Sequence, residues 1–202
     1  MSGWAKLERG LLRGDCGSQL VEFAVALPLL VVFVVGIFDF SGAFTLKQKL
    51  TNAARDAART AASEPLTDLS ATVPMSVSDT FWSIDNYLRA NQINDCGIGP
   101  GNHTHAAGST TWTYSHTGSG CAPSGLVIVI NRGFYVPATA AAVPAGTSCT
   151  VQSAAGQTAV IATCVSIQYG YGWTFGHAVS LLGATAMLPS TISATAVAMN
   201  EN

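Results

Sequence analysis

Charge is what this sequence has least of. Only 10% of its 202 residues are Asp, Glu, Lys or Arg, whereas 49% are hydrophobic, and an ordinary globular domain carries about 25% charged residues. A deficit of that size implies a membrane segment, or a surface built from Ser, Thr, Gly and Asn in place of Lys and Glu; the mean hydropathy of +0.35 fits either. Basic residues are scarcer still. Nine Lys and Arg stand against eleven Asp and Glu, a net charge of -2, so there is no positive field to hold a polyanion and nucleic-acid binding is excluded as an expectation.

Catalytic frames are also missing. No GxSxG, HExxH or phosphate-cradling glycine loop occurs, and Ser119-Gly120 and Ser124-Gly125 lack the frame of a nucleophile elbow. His103, His105 and His116 lie close together in sequence, near Asp95 and Cys96, but their spacing matches no standard metal motif. They are expected to be solvated loop histidines, with no metal, no cofactor and no enzymatic activity. Asn102-His103-Thr104 is a formal glycosylation sequon that matters only where that machinery exists. Trp112, Tyr114, Tyr169, Tyr171 and Trp173 could line a sugar-binding face, although ordinary sheet packing is the expected use.

What the sequence does have is one long apolar run. No charged residue falls between Phe23 and Phe38, and the segment 20–44, helical at about 1.5 Å per residue, can cross a hydrocarbon core of about 30 Å. The polar stretch after it, with Ala53, Ala54, Ala57, Ala58, Ala61 and Ala62 and a stop signal at Pro65, extends the helix to about residue 63. Leu46, Leu50, Ala53, Ala54, Ala57 and Ala61 form one stripe, whose small residues permit close approach either of the chain's own domain or of another subunit. Pro28 removes a backbone donor and should bend or loosen the helix, Gly36 adds a small position, and Asp39 at the far end faces the interface or contacts Lys47.

Residues 1–17 carry three basic and two acidic side chains, a net +1. Lys47, Lys49, Arg55 and Arg59 follow the run, so charge bias leaves its orientation open. The cysteines decide it. Cys16 stands alone before the run, while Cys96, Cys121, Cys149 and Cys164 follow it, an even set that suits an oxidising compartment. The N-terminus is therefore expected in the cytoplasm and the C-terminal part outside.

Glu22 is the most informative residue. A carboxylate inside an apolar helix costs about 2.5–3.5 kcal/mol on insertion scales and needs a partner or an interfacial place. Were the chain cut between Gly17 and Ser18, the new α-amino group would lie four positions before Glu22, where the two could neutralise each other within a chain or between neighbours. The stretch Gly17-Ser18-Gln19-Leu20-Val21-Glu22-Phe23, behind a short basic leader and ahead of an apolar helix, resembles the class III signal of type IV pilins and pseudopilins. Together with EFA, Pro28, Gly36-Ile37-x-Asp39-Phe40 and Asn52-Ala53-Ala54-Arg55-x-Ala57-Ala58-Arg59, it is similar to the TadE-like family of the tight-adherence pilus system over residues 14–63. The closing ATAMLPSTISATAVAMNEN is more loosely similar to that family's last strand.

The resemblance implies a job without chemistry. Prepilin peptidase would cleave after Gly17, and Ser18, Glu22 and Phe23 would belong to the recognition signal. Glu22 would pair with a neighbour's terminal amine, and Pro28, Gly36 and Asp39 would serve helix packing. The product would be a single-pass protein of the bacterial cytoplasmic membrane, a minor pilin or pseudopilin whose partners are the lipid bilayer, other pilins and the inner-membrane assembly machinery. It would act in adhesion and biofilm formation. The segments expected are a leader at 1–17, a transmembrane helix at 18–44, a helical stalk at 45–63 and an extracytoplasmic domain at 64–202. The alternative is a membrane-anchored binding or enzymatic domain that enters no pilus.

The region after Pro65 reads as α+β. Val77, Phe81, Ile84 and Leu88 predict an amphipathic helix over 78–92, capped by Ser78 or Ser76. Alternating or β-branched runs predict strands at 110–115, 126–131, 148–153, 158–169 and 191–199. The expected architecture is a small antiparallel sheet with one further helix behind the long one, stapled by disulfides and pilin-like. If Gly156-Gln157 is a two-residue hairpin turn, Cys149 faces Cys164 directly, with Cα atoms about 5.5 Å apart. Of the three possible connectivities that favours Cys149–Cys164 with Cys96–Cys121. Cys16, in the leader, is expected to be a plain residue.

Overall fold

The structure, a computed structural model, describes residues 16–137, 148–150, 159–174, 176 and 188–201. Its first element is α1, Cys16–Ser63, which runs without interruption through Pro28. A short 3-10 turn, Leu66–Asp68, leads to α2, Met75–Ala90. Among the described residues five strands follow: β1 His103–His105, β2 Thr111–His116, β3 Leu126–Pro137, β4 Ala159–Gly170 and β5 Thr191–Met199. They form one antiparallel sheet in the order β1-β2-β3-β4-β5. The expected α+β class, with its long apolar helix, second helix and two disulfides, is what the chain adopts.

The chain divides into two compact units, one of Met1–Ser41 with Trp173–Met187 and the other of Gly42–Gly172 with Leu188–Asn202. In the first, α1 bares its apolar side chains: Val25 is 73% and Phe38 74% exposed. Phe40 touches Trp173 at 5.2 Å between ring centroids, and Gly36 and Asp39 are buried.

The second unit holds the core. One sheet face presents Trp112 and Tyr114 of β2, Leu126, Ile128 and Ile130 of β3, and Val165 and Ile167 of β4, all fully buried. Against it lie the apolar stripe of α2, with Phe81 stacked on Tyr114 at 4.5 Å, and the stalk half of α1. Leu50, Ala53, Ala54, Ala57, Ala58, Ala61 and Ala62 are all buried within this one chain. Of the two uses open to the small-residue stripe, it is therefore the protein's own domain that fills it, since alanines let a helix seat closely on a sheet.

The second helix starts three residues earlier than expected and is not capped by Ser76 or Ser78, which lie inside it. Its N-cap position is Pro74, which offers no side-chain acceptor. Asp68 supplies one instead, from the preceding 3-10 turn: Oδ2 accepts from the Ser76 N–H at 2.9 Å and Oδ1 from its hydroxyl at 3.2 Å. A remote carboxylate at a helix start satisfies an orphan donor and complements the dipole. At the other end the Ile93 N–H donates to Leu88 O and the Gln92 N–H to Arg89 O, the paired bonds of a Schellman cap. Gln92 holds the left-handed position, φ 58°, where glycine pays no Cβ penalty. Gln92→Gly should therefore raise stability by about 0.5–1 kcal/mol, read as a higher midpoint in chemical denaturation.

The third strand runs six residues past the expected end at Asn131. Register with β4 shifts between Asn131 and Phe134, a bulge that hides the continuation from any alternating pattern. Gly133 allows it, because a Cβ there would lie 2.6 Å from the Thr110 hydroxyl oxygen. Asn131 holds it, accepting from Thr110 Oγ1 and from the Gly133 N–H, each at 3.0 Å, while its amide donates to the Cys149 carbonyl at 2.8 Å.

Both expected disulfides form, Cys96–Cys121 and Cys149–Cys164, with Cα separations of 5.6 and 5.4 Å. The ladder reasoning behind the second does not hold. Cys164 is flanked in the sheet by Asn131 of β3 and Val197 of β5, so no place remains for a Cys149 strand beside it. Residues 148–150 are not strand, and the rest of the expected strand with its turn, 151–158, lies outside the described residues. Cys149 instead joins Phe134, Val136, Ala162 and Cys164 in a second small core on the sheet face opposite the helices.

Candidate assembly and processing site

The expected processing signal lies at the start of α1. Gly17 and Ser18 fall in its first turn, and Glu22 and Phe23 follow one turn on, both exposed. Every residue from Gln19 to Val31 is exposed. The most apolar 18-residue window of the helix has mean hydropathy 2.7 and is only 6% buried. A surface so apolar and so bare is one that water does not favour; burying it in lipid or against other helices returns about 25 cal/mol per Å². Of the other assembly candidates, Pro28 lies within that exposed stretch, whereas Gly36 and Asp39 are buried. Lys47 donates to the Ser193 carbonyl.

The three histidines are strand residues, not loop residues as expected, and each turns Nδ1 to a backbone carbonyl. His103 reaches Pro100 O at 2.8 Å, His105 reaches Thr111 O at 3.1 Å, and His116 reaches Cys96 O at 2.7 Å. His105 also lies flat on Trp112, 4.4 Å between centroids. They form no cluster, and no group of three His, Cys, Asp or Glu able to hold a metal occurs among the described residues. The aromatic residues divide likewise. Trp112 and Tyr114 are core, and Trp112 Nε1 donates to Thr72 O at 2.9 Å. Tyr169 and Tyr171 line a shallow groove of about 580 Å³ with Gln92 and Asn94.

Two buried polar groups in the sheet unit are not revealed by periodicity, and only the first stabilises it. Arg132, fully buried, sits in the β3 bulge. Its Nη2 donates to the carbonyls of Glu64 and Pro65 at 2.8 and 3.2 Å, just past the C-terminus of α1, and Nη1 donates to Thr163 Oγ1 at 3.0 Å. A guanidinium is well suited to the carbonyl end of a helix. Burial lowers the Arg132 pKa from its ordinary value, and the nearby carboxylates of Asp68 and Glu64 oppose that shift. The only signal in sequence is a lone Arg beside a Gly inside an apolar strand, which reads more readily as a strand end.

The second group is Asp85 on α2, 1% exposed. Arg89 Nε lies 3.0 Å from Asp85 Oδ2, but its N–H is aligned on Asp95 Oδ2 at 2.9 Å, so neither Asp85 oxygen has a hydrogen bond. Desolvation raises the Asp85 pKa, while the Gly97 N–H lowers that of Asp95. A raised folded-state value favours folding fully below the ordinary value of 3.8 and loses that contribution as pH climbs through the folded value. Asp95 runs the other way, its contribution present above 3.8 and lost on acidification. Asp85→Asn removes only the first. The gap in melting temperature between Asp85→Asn and the parent chain should thus widen in favour of the variant as pH rises from 3.8 toward neutrality.

A disulfide-bonded α+β unit joined to one bare apolar helix defines a class: a protein whose N-terminal helix is long and apolar enough to cross a membrane and whose remainder folds around its own sheet. A family model described as TadE-like protein matches residues 17–59, the stretch whose residues carry the resemblance, from the candidate cleavage glycine to Arg59. No curated protein and no solved structure matches the chain.

Proposed function

We propose that this chain is a minor pilin or pseudopilin of the tight-adherence type, acting without catalysis in assembly of surface pili used for attachment and biofilm formation. The observation that carries the reading is the TadE-like match that begins at Gly17 and runs along a helix whose apolar surface is exposed. In this reading prepilin peptidase removes residues 1–17 and frees the Ser18 amine. Helix 18–44 spans the cytoplasmic membrane with the leader inside and the sheet unit outside, where two disulfides are stable. Glu22, exposed on α1, would then meet the terminal amine of a neighbouring subunit in a low-dielectric setting, where an unpaired carboxylate is costly. Burial of the stalk stripe inside its own domain leaves the apolar half of α1 as the surface that meets other subunits and lipid.

Intact mass and N-terminal sequencing of the protein from membranes and from sheared surface material test this. A product beginning at Ser18 in the sheared fraction is the expected result. A chain that keeps residues 1–17 and stays in the membrane beside an active prepilin peptidase would overturn it, and would favour an anchored binding domain.

A further inference from the structure

Among the described residues the sheet is open, and β5 is one of its edges. In an antiparallel strand both backbone groups of a residue point to the same side, and successive residues alternate. Tyr171 donates to Ser190 O at 3.0 Å and Asn200 donates to Ile161 O at 3.3 Å, so even-numbered residues of this segment face β4. Odd-numbered residues face outward. Two contacts agree: Lys47 Nζ donates to Ser193 O, and the Glu201 N–H donates to Ala62 O at 3.3 Å. Between these two bonds to α1, the outward backbone groups of Thr195, Val197 and Met199 have no hydrogen-bond partner among the described residues.

An uncovered edge is a template for another strand, and natural edges are guarded by charges, prolines or shortness. This one is nine residues long, TISATAVAM, with no charge and no proline. We propose that it pairs with β5 of a second copy, antiparallel and two-fold symmetric about Val197, joining two sheets into one. The identical strand suits the opening because symmetry about Val197 sets Thr195 against Met199 of the other copy and places all three outward residues in hydrogen-bonded pairs. The same symmetry sets Ser193 against Glu201. Lys47, anchored on the Ser193 carbonyl, is thereby brought beside the exposed Glu201 carboxylate of the other copy, twice over. Backbone bonds supply the attraction and the charge pairs fix the register. This pairing goes beyond the pilus reading and does not depend on it.

Cross-linking of the full chain in detergent, with Cys16 replaced by Ser in every variant because it stands outside both disulfides, tests the register. Thr195→Cys/Met199→Cys should form a reducible intermolecular disulfide, because hydrogen-bonded partners lie about 5.5 Å apart at Cα. Neither single variant should do so, each being opposite a different residue. Adding Val197→Pro should abolish the cross-link and leave the melting temperature unchanged, since the proline replaces an outward N–H, the one setting in which an edge strand tolerates it. Lys47→Glu should lower the yield and Lys47→Glu/Glu201→Lys should restore it, an arm that stands even where the proline disturbs the sheet. A double-cysteine variant that cross-links no more than the singles would overturn the proposal. So would a dimer that keeps its yield through both the proline and the charge reversal; such a dimer would belong to the apolar helix.

Discussion

A Glu22→Ala chain should reach the membrane, lose residues 1–17 and fold its sheet unit with an unchanged melting temperature, yet be missing from sheared surface fibres. The separation follows from where Glu22 sits. It is exposed on α1 and belongs to the helical unit, whereas the core that sets thermal stability lies in the other unit. Removing the carboxylate also removes about 2.5–3.5 kcal/mol of insertion cost, so membrane residence should be kept or improved. In the pilin reading, what is lost is the partner of a neighbour's terminal amine, since Glu22 is the one acidic residue between Gln19 and Phe38. Glu22→Gln separates charge from hydrogen bonding: if charge neutralisation is the function, it should fail as Ala does. Immunoblots of membrane and sheared fractions, with circular-dichroism melting of the purified chains, read both halves. Normal fibre content in both variants would refute the role.

Arg132→Ala should strongly destabilise the sheet unit, lowering unfolding free energy by about 2–5 kcal/mol, the scale for truncating a large buried side chain. The guanidinium makes hydrogen bonds to Thr163, Glu64 and Pro65, and bonds to charged groups contribute about 1.5–3 kcal/mol each. Alanine leaves both carbonyls beyond the end of α1 without that donor and opens a cavity between bulge and helix. Arg132→Lys should recover little, because an ammonium is a point donor that cannot fork across Thr163 and the helix end together. Denaturant unfolding measures the loss. Hydrogen exchange should localise it, with protection falling first in the last turns of α1 and in β3 beyond the bulge.

The elements that were legible in sequence are those governed by local pattern. The α2 stripe at Val77, Phe81, Ile84 and Leu88 and the alternation in β2 and the start of β5 each follow from one element burying one face, whereas the apolar run shows by its length and β4, buried on both faces from Ala162 to Ile167, by its β-branched residues. The composition after Pro65 marked an oxidised, loop-rich domain, and the cysteine count allowed the two disulfides that form. The ends of elements were less legible. Pro74 starts α2 because Asp68, eight residues before Ser76, caps it. The strand β3 continues past Asn131 because Gly133 and Asn131 accommodate a bulge against Thr110. His103–His105 is too short to show a period.

By itself, then, the sequence determined the parts: one helix apolar enough to need lipid or partners, a charge-poor α+β domain, and a cleavage-like signal at Gly17. Those properties are written in composition and in periods of a few residues. Tertiary structure decided how the parts are used. Docking on the sheet turned the alanine stripe inward, and the bulge carried Arg132 to the end of α1. Cys149 reached Cys164 across the back of the sheet instead of along a ladder, because β3 and β5 already hold both sides of β4. Each of these outcomes depends on residues far apart in the chain competing for the same space and the same hydrogen bonds, which no local pattern encodes.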